Sequence, residues 1–92
     1  HYERKDLRLR YPVSKEKMSI RLLQEAPASI GTETVKEVYS VDGIKYILAD
    51  DSWLLIRPSG TEPVLRVYAE GRSPDMMKAL MDFGAKIAES IA

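Results

Sequence analysis

The chain contains no cysteine, which rules out disulfides, thiolate metal sites and a thiol nucleophile, and fits a reducing compartment, expected here to be the cytoplasm. Its single histidine is His1, so a histidine relay or a clustered histidine metal site has no residues to be built from. No apolar run is long enough to cross a bilayer, and no membrane partner is expected. Net charge is absent as well, fourteen basic side chains balancing fourteen acidic ones. No global field therefore steers the chain toward nucleic acid. The sequence opens without Met and without a signal-like segment, and is expected to be a piece of a longer protein.

What is present fits one domain, since 92 residues lie near the small end of what supports its own core. Residues 2–11 alternate, with Leu7, Leu9 and Tyr11 on one side and Asp6, Arg8 and Arg10 on the other, which predicts a half-buried strand. Arg4, Lys5, Arg8, Arg10, Lys15, Lys17 and Arg21 bias this quarter toward positive charge, as a solvated face or a docking surface. Ser14 is a candidate N-cap with Glu16 in the first turn, and Met18, Leu22, Leu23 and Ala26 form the stripe of a short amphipathic helix ending at Pro27. Residues 27–34 read as a loop.

Residues 35–41 are β-favouring, and Asp42-Gly43 is the strongest hairpin signal in the chain, making residues 44–49 a return strand. Asp50-Asp51-Ser52 is a polar turn rather than a metal site. Trp53-Leu54-Leu55-Ile56 follows, an unbroken apolar run that predicts a strand buried on both faces, and residues 64–70 form the last strand. Ser73-Pro74-Asp75 opens a second helix whose stripe runs through Met77, Leu80, Gly84, Ile87 and Ile91, widened by Met76 and Phe83. The expected fold is α+β, strand, helix, four strands, helix, with an antiparallel sheet and both helices on one of its faces.

Between the last two strands lies Arg57-Pro58-Ser59-Gly60-Thr61-Glu62-Pro63. Arg57 offers a planar fork of donors, Ser59 and Thr61 offer hydroxyls, and Gly60 lets backbone N–H groups approach an anion. If the turn comprises residues 59–62, Arg57 faces Val64, and alternation places Arg66 on the face of Arg57, opposite to Leu54, Ile56, Leu65 and Val67. Two guanidinium groups beside a Ser-Gly-Thr turn suit a phosphate dianion. The bland alternative is a rigid polar hairpin whose Arg57 and Arg66 pair with Glu62 and Glu70. Ser59 has no base to activate it, so the domain is expected to bind rather than react, with no catalytic residue of its own.

These residues, followed by Arg66-Val67-Tyr68-Ala69-Glu70 and preceded by Asp42-Gly43-Ile44, resemble the phosphate-binding signature of the C-terminal domain of the α-D-phosphohexomutases, the phosphoglucomutase and phosphomannomutase family. The resemblance implies a TATA-box-binding-protein-like fold. It implies a parent enzyme that moves a phosphoryl group between C1 and C6 of a phosphosugar, using a phosphoserine and a Mg2+ site carried by three other domains of the same polypeptide. The role implied for this domain is to grip the non-transferring phosphate and swing to close the cleft. Arg57, Ser59, Gly60 and Thr61 would form the cradle, with Arg66 a second cation. Two alternatives stand beside this: a nucleic-acid-binding module using the basic cluster, against which the neutral charge argues, and a structural module whose loop is only a turn.

Overall fold

The computed structural model describes residues 1–10, 12–40, 42–59 and 61–91. The elements are β1 (Tyr2–Arg8), α1 (Lys15–Gln24), β2 (Ser29–Ile30), β3 (Glu33–Ser40), β4 (Ile44–Leu48), β5 (Trp53–Pro58), β6 (Val64–Glu70) and α2 (Pro74–Ile91). They form the expected α+β architecture, a six-stranded sheet in the order β1-β6-β5-β4-β3-β2 with every pairing antiparallel. Only the two-residue β2 lies outside the expected order, in the stretch read as a loop. β1 ends at Arg8, earlier than predicted; Tyr11, Val41 and Gly60, which the sequence reading placed in strands or in the loop, lie outside the described residues.

The caps form where the sequence puts them. Ser14 has an extended backbone and accepts from Lys17 N at 3.3 Å, and Ser73 accepts from Met76 N at 3.1 Å. Both helices cover the same face of the sheet. Tyr46 on β4 touches each of them: its hydroxyl donates to the Leu22 carbonyl of α1 at 2.8 Å, and its ring meets Phe83 of α2 edge-on. Gly84 of α2 sits on Val67, where a Cβ would come within 3.1 Å of a Val67 methyl. The covered face carries Ile44, Leu48, Leu54, Ile56, Leu65 and Val67, all fully buried, and burying each side chain of this kind favours folding by roughly 1.5–3 kcal/mol.

Two details correct the sequence reading. Leu23 is 44% exposed and stands off the α1 stripe, which is carried into the core by Met18 and Leu22. β5 is buried on one face only, since Trp53, Leu55 and Arg57 alternate with buried Leu54, Ile56 and Pro58. Among the described residues no helix covers its second face. Trp53 is covered instead by Lys45, whose ammonium stands 4.5 Å from the indole centroid, and by Tyr2, edge-on at 6.2 Å. The face opposite the helices is thus an open one, and it carries the arginines. Among the described residues no helix is long and apolar enough to cross a membrane.

Candidate anion-binding site

The β5–β6 ladder ends at Pro58 opposite Leu65, residues 59–63 connect the two strands, and Arg57 is the direct Cα partner of Arg66. The register differs from the expected one by two residues, Arg66 taking the place assigned to Val64. An even shift leaves the parity intact, and both arginines lie on the open face, each partly buried. Arg66 is flanked on its other side by Asp6 of β1.

Inside the connection Ser59 N donates to Val64 O at 3.0 Å, Val64 N to Glu62 O at 2.8 Å, and Glu62 N to the Ser59 hydroxyl at 3.2 Å. Leu9 N reaches Pro63 O at 2.7 Å, tying the turn to the end of β1. The Ser59 hydroxyl accepts one bond and keeps its own proton to donate. Thr61 is exposed at the tip. Arg57, Ser59, Thr61 and Arg66 therefore gather at one end of the sheet.

Arg57 is held from two directions. Its Nη1 donates to Asp42 Oδ2 at 3.3 Å, and its Nη2 donates to the Tyr68 hydroxyl at 2.9 Å. Asp42 also receives Lys15 Nζ at 3.1 Å on its other oxygen. The Lys15 hydrogen bond and charge, and then Arg57, hold the Asp42 carboxyl below the usual carboxylate range. The alternative pairing is not what forms: among the described residues neither arginine makes an ion pair with Glu62 or Glu70, and Arg66 makes none at all.

Asp42 and Tyr68 were missed as partners of Arg57. A signal for each existed in the chain. In a meander, alternate turns fall at the same end of the sheet, which brings Asp42-Gly43 beside the arginine turn; Tyr68 stands two residues after Arg66 and so shares its face. Backbone geometry fixes the first approach. Gly43 has φ +121°, and a Cβ there would lie 2.7 Å from Ile56 O and 3.2 Å from Arg57 Cα, so the β3–β4 turn is pressed against the residue that it serves.

In the turn between β4 and β5 the two aspartates are spent on structure. Asp50 accepts from Ser52 N at 2.9 Å and from its hydroxyl at 3.0 Å, and Asp51 pairs with Lys36. Among the described residues no three His, Cys, Asp or Glu side chains are gathered to hold a metal ion. The described residues do not fit Mg2+. The arrangement offers positive charge and hydrogen-bond donors of the kind an anion accepts.

A sequence model of the family described as phosphoglucomutase/phosphomannomutase, C-terminal domain, matches residues 9–87. The chain is 33% identical over 86 residues to a probable phosphoglucosamine mutase of Pyrococcus horikoshii, covering 92% of this chain and 19% of that protein. It is 46% identical over 48 residues to a probable phosphoglucosamine mutase of Methanosphaera stadtmanae, covering 52% of this chain and 11% of that protein. A phosphopentomutase of Thermococcus kodakarensis is 48% identical over 50 residues, 54% of this chain and 11% of that protein. The chain thus spans between 11% and 19% of the length of these curated relatives. With α1, both hairpins, the arginine turn and most of α2 inside the matched span, the chain belongs to the phosphoglucomutase/phosphomannomutase C-terminal domain family.

Proposed function

We propose that this chain is the phosphate-gripping domain of a phosphosugar mutase, part of a longer polypeptide whose other three domains carry the phosphoserine, the Mg2+ site and sugar recognition. The single observation that carries the reading is the direct pairing of Arg57 with Arg66 below the Ser59 turn. Like charges set opposite each other weaken a sheet, so the pair makes sense where an anion neutralises it. Two guanidinium groups and the Ser59 and Thr61 hydroxyls supply donors that a phosphate dianion accepts.

The domain's contribution to the reaction is positional. Holding the phosphate that is not transferred fixes the sugar against groups elsewhere in the polypeptide, and closure of the domain excludes water from the cleft. A site of this kind reads phosphate and not the stereochemistry of the sugar hydroxyls. That suits a family whose relatives are named for phosphoglucosamine and for pentose as well as for glucose and mannose. Reaction in the cytoplasm, where sugar phosphates are made, belongs to the same reading.

The test is an amide NMR titration of the 92-residue chain with a hexose 6-phosphate and a hexose 1-phosphate, repeated on Arg57→Ala. Saturable shifts at Ser59, Thr61 and Arg66 are expected with both ligands, at a Kd of about 1 mM or roughly −4 kcal/mol, and are expected to vanish in the variant. Shifts that persist in Arg57→Ala, or none in the unmodified chain, sink the reading.

A further inference from the structure

The head of a free arginine side chain samples many rotamers, and a ligand that needs one of them binds more weakly for it. Arg57 does not have that freedom. The Tyr68 hydroxyl accepts from Nη2 at 2.9 Å, and the Arg57 Cζ stands 5.5 Å from the centroid of the same ring. Swinging the guanidinium away breaks both contacts at once.

Tyr68 is itself held. On β1, Arg4 is the Cα partner of Tyr68, and its Cζ lies 5.4 Å from the ring centroid. The ring is therefore shared by two guanidinium groups, one from each neighbouring side of the open face. β1 precedes the matched residues 9–87, so part of this support comes from outside the recognised span.

The second partner of Arg57 is a poorer holder when ligand arrives. Asp42 is exposed, bonds at 3.3 Å, divides its carboxylate between Arg57 and Lys15, and carries a charge that repels an incoming phosphate. Tyr68 is neutral and part-buried, so its hold survives the arrival of an anion.

We infer that Tyr68 is the positioning residue for Arg57, fixing the guanidinium in the orientation in which it meets the phosphate group of a phosphosugar. The inference rests on the phosphate reading above. It also assigns a division of labour: Arg57 binds, Tyr68 orients it, and Arg4 keeps the ring in place.

The experiment compares the unmodified chain with Tyr68→Phe by NMR titration with glucose 6-phosphate. It also follows rotation of the Arg57 guanidinium in the free proteins through its side-chain nitrogen signals. Tyr68→Phe removes one oxygen from a partly exposed ring, so the fold is expected to be retained, as unchanged amide shifts away from the site will verify. The expected result is a Kd raised roughly five- to tenfold in Tyr68→Phe, with faster guanidinium rotation. Equal affinity of Tyr68→Phe and the unmodified chain overturns the inference and leaves the phosphate reading standing. So does unchanged guanidinium rotation in Tyr68→Phe, which would make Tyr68 act independently of Arg57. No binding by the unmodified chain overturns the phosphate reading, and this inference with it.

Discussion

Arg57 stands directly opposite Arg66 in the β5–β6 ladder, and only Arg57 has counter-groups, Asp42 and Tyr68, within bonding distance among the described residues. Facing cations cost a sheet a few tenths of a kcal/mol or more. The fold tolerates this at the site and nowhere else in the described ladders does one arginine face another. Stability and binding should therefore part company here. Arg66→Thr, which keeps a β-favouring residue, is expected to raise stability by roughly 0.5 kcal/mol and to weaken hexose phosphate binding about tenfold through the loss of a charge-assisted bond. Urea unfolding and the NMR titration read the two effects separately. A variant that is less stable and binds as well would show that the arginine stem serves packing and its charge serves nothing.

Gly43 is where the two turns meet. Its φ of +121° is one that side-chain-bearing residues rarely adopt, and an added Cβ would press on Ile56 O at 2.7 Å, a backbone atom of a central strand. Neither strand can yield cheaply. Gly43→Ala is expected to cost roughly 2–4 kcal/mol, lowering Tm by at least about 8 °C in a chain of this size. Affinity for phosphate should fall too, because the same push displaces Arg57. A Tm within about 2 °C of the unmodified chain would mean that the approach is looser than drawn.

The elements were legible in the chain because their signals are local. Ser14 and Ser73 cap where a serine before a periodic segment should, and Asp42-Gly43 marks the turn between β3 and β4, whose last pair, Ser40 with Ile44, leaves three residues between the strands rather than two. The candidate site was legible in part for a different reason. The face that a strand residue takes depends only on parity, so Arg57 and Arg66 came together although the register was two residues off. What the chain did not disclose depends on distance across strands. Trp53-Leu54-Leu55-Ile56 looks the same whether a helix covers one face or two, and its outer side is closed by Lys45 and Tyr2 from other strands. The grips on Arg57 by Asp42 and Tyr68 are of that kind as well.

Leu22 and Leu23 test the limit of helical periodicity. Both fit an apolar stripe on paper, yet Leu22 is 1% exposed and Leu23 44%. Leu22→Ala is expected to cost about 2–4 kcal/mol, a buried leucine's transfer and cavity terms together, and Leu23→Ala less than about 1 kcal/mol. Paired denaturant curves decide it. Similar losses for the two would mean that α1 sits on the sheet rotated from its described position.

Tyr46 makes the stability of the fold depend on alkaline pH, with a sign that can be derived. Its hydroxyl donates to the Leu22 carbonyl at 2.8 Å, and burial first, then the charge of Glu25, pushes the phenol up to about 12. An unfolded tyrosine ionises near pH 10. Between these values the unfolded chain releases a proton that the folded chain keeps, so stability falls as pH rises. The contribution is fully present below about pH 10 and is lost by about pH 12, a change of up to roughly 2 kcal/mol. Tyr46→Phe removes the titration. Near pH 8 the variant is expected to be less stable by about 1–2 kcal/mol, because the Leu22 carbonyl near the end of α1 loses its partner in a buried place. Raising the pH from 10 toward 12 should close that gap, since the lysines that titrate there are common to both proteins. Urea unfolding at several pH values follows the difference directly. Curves that stay parallel through this range would show that the phenol is not desolvated, and that Tyr46 contributes its ring to the core and little through its hydroxyl.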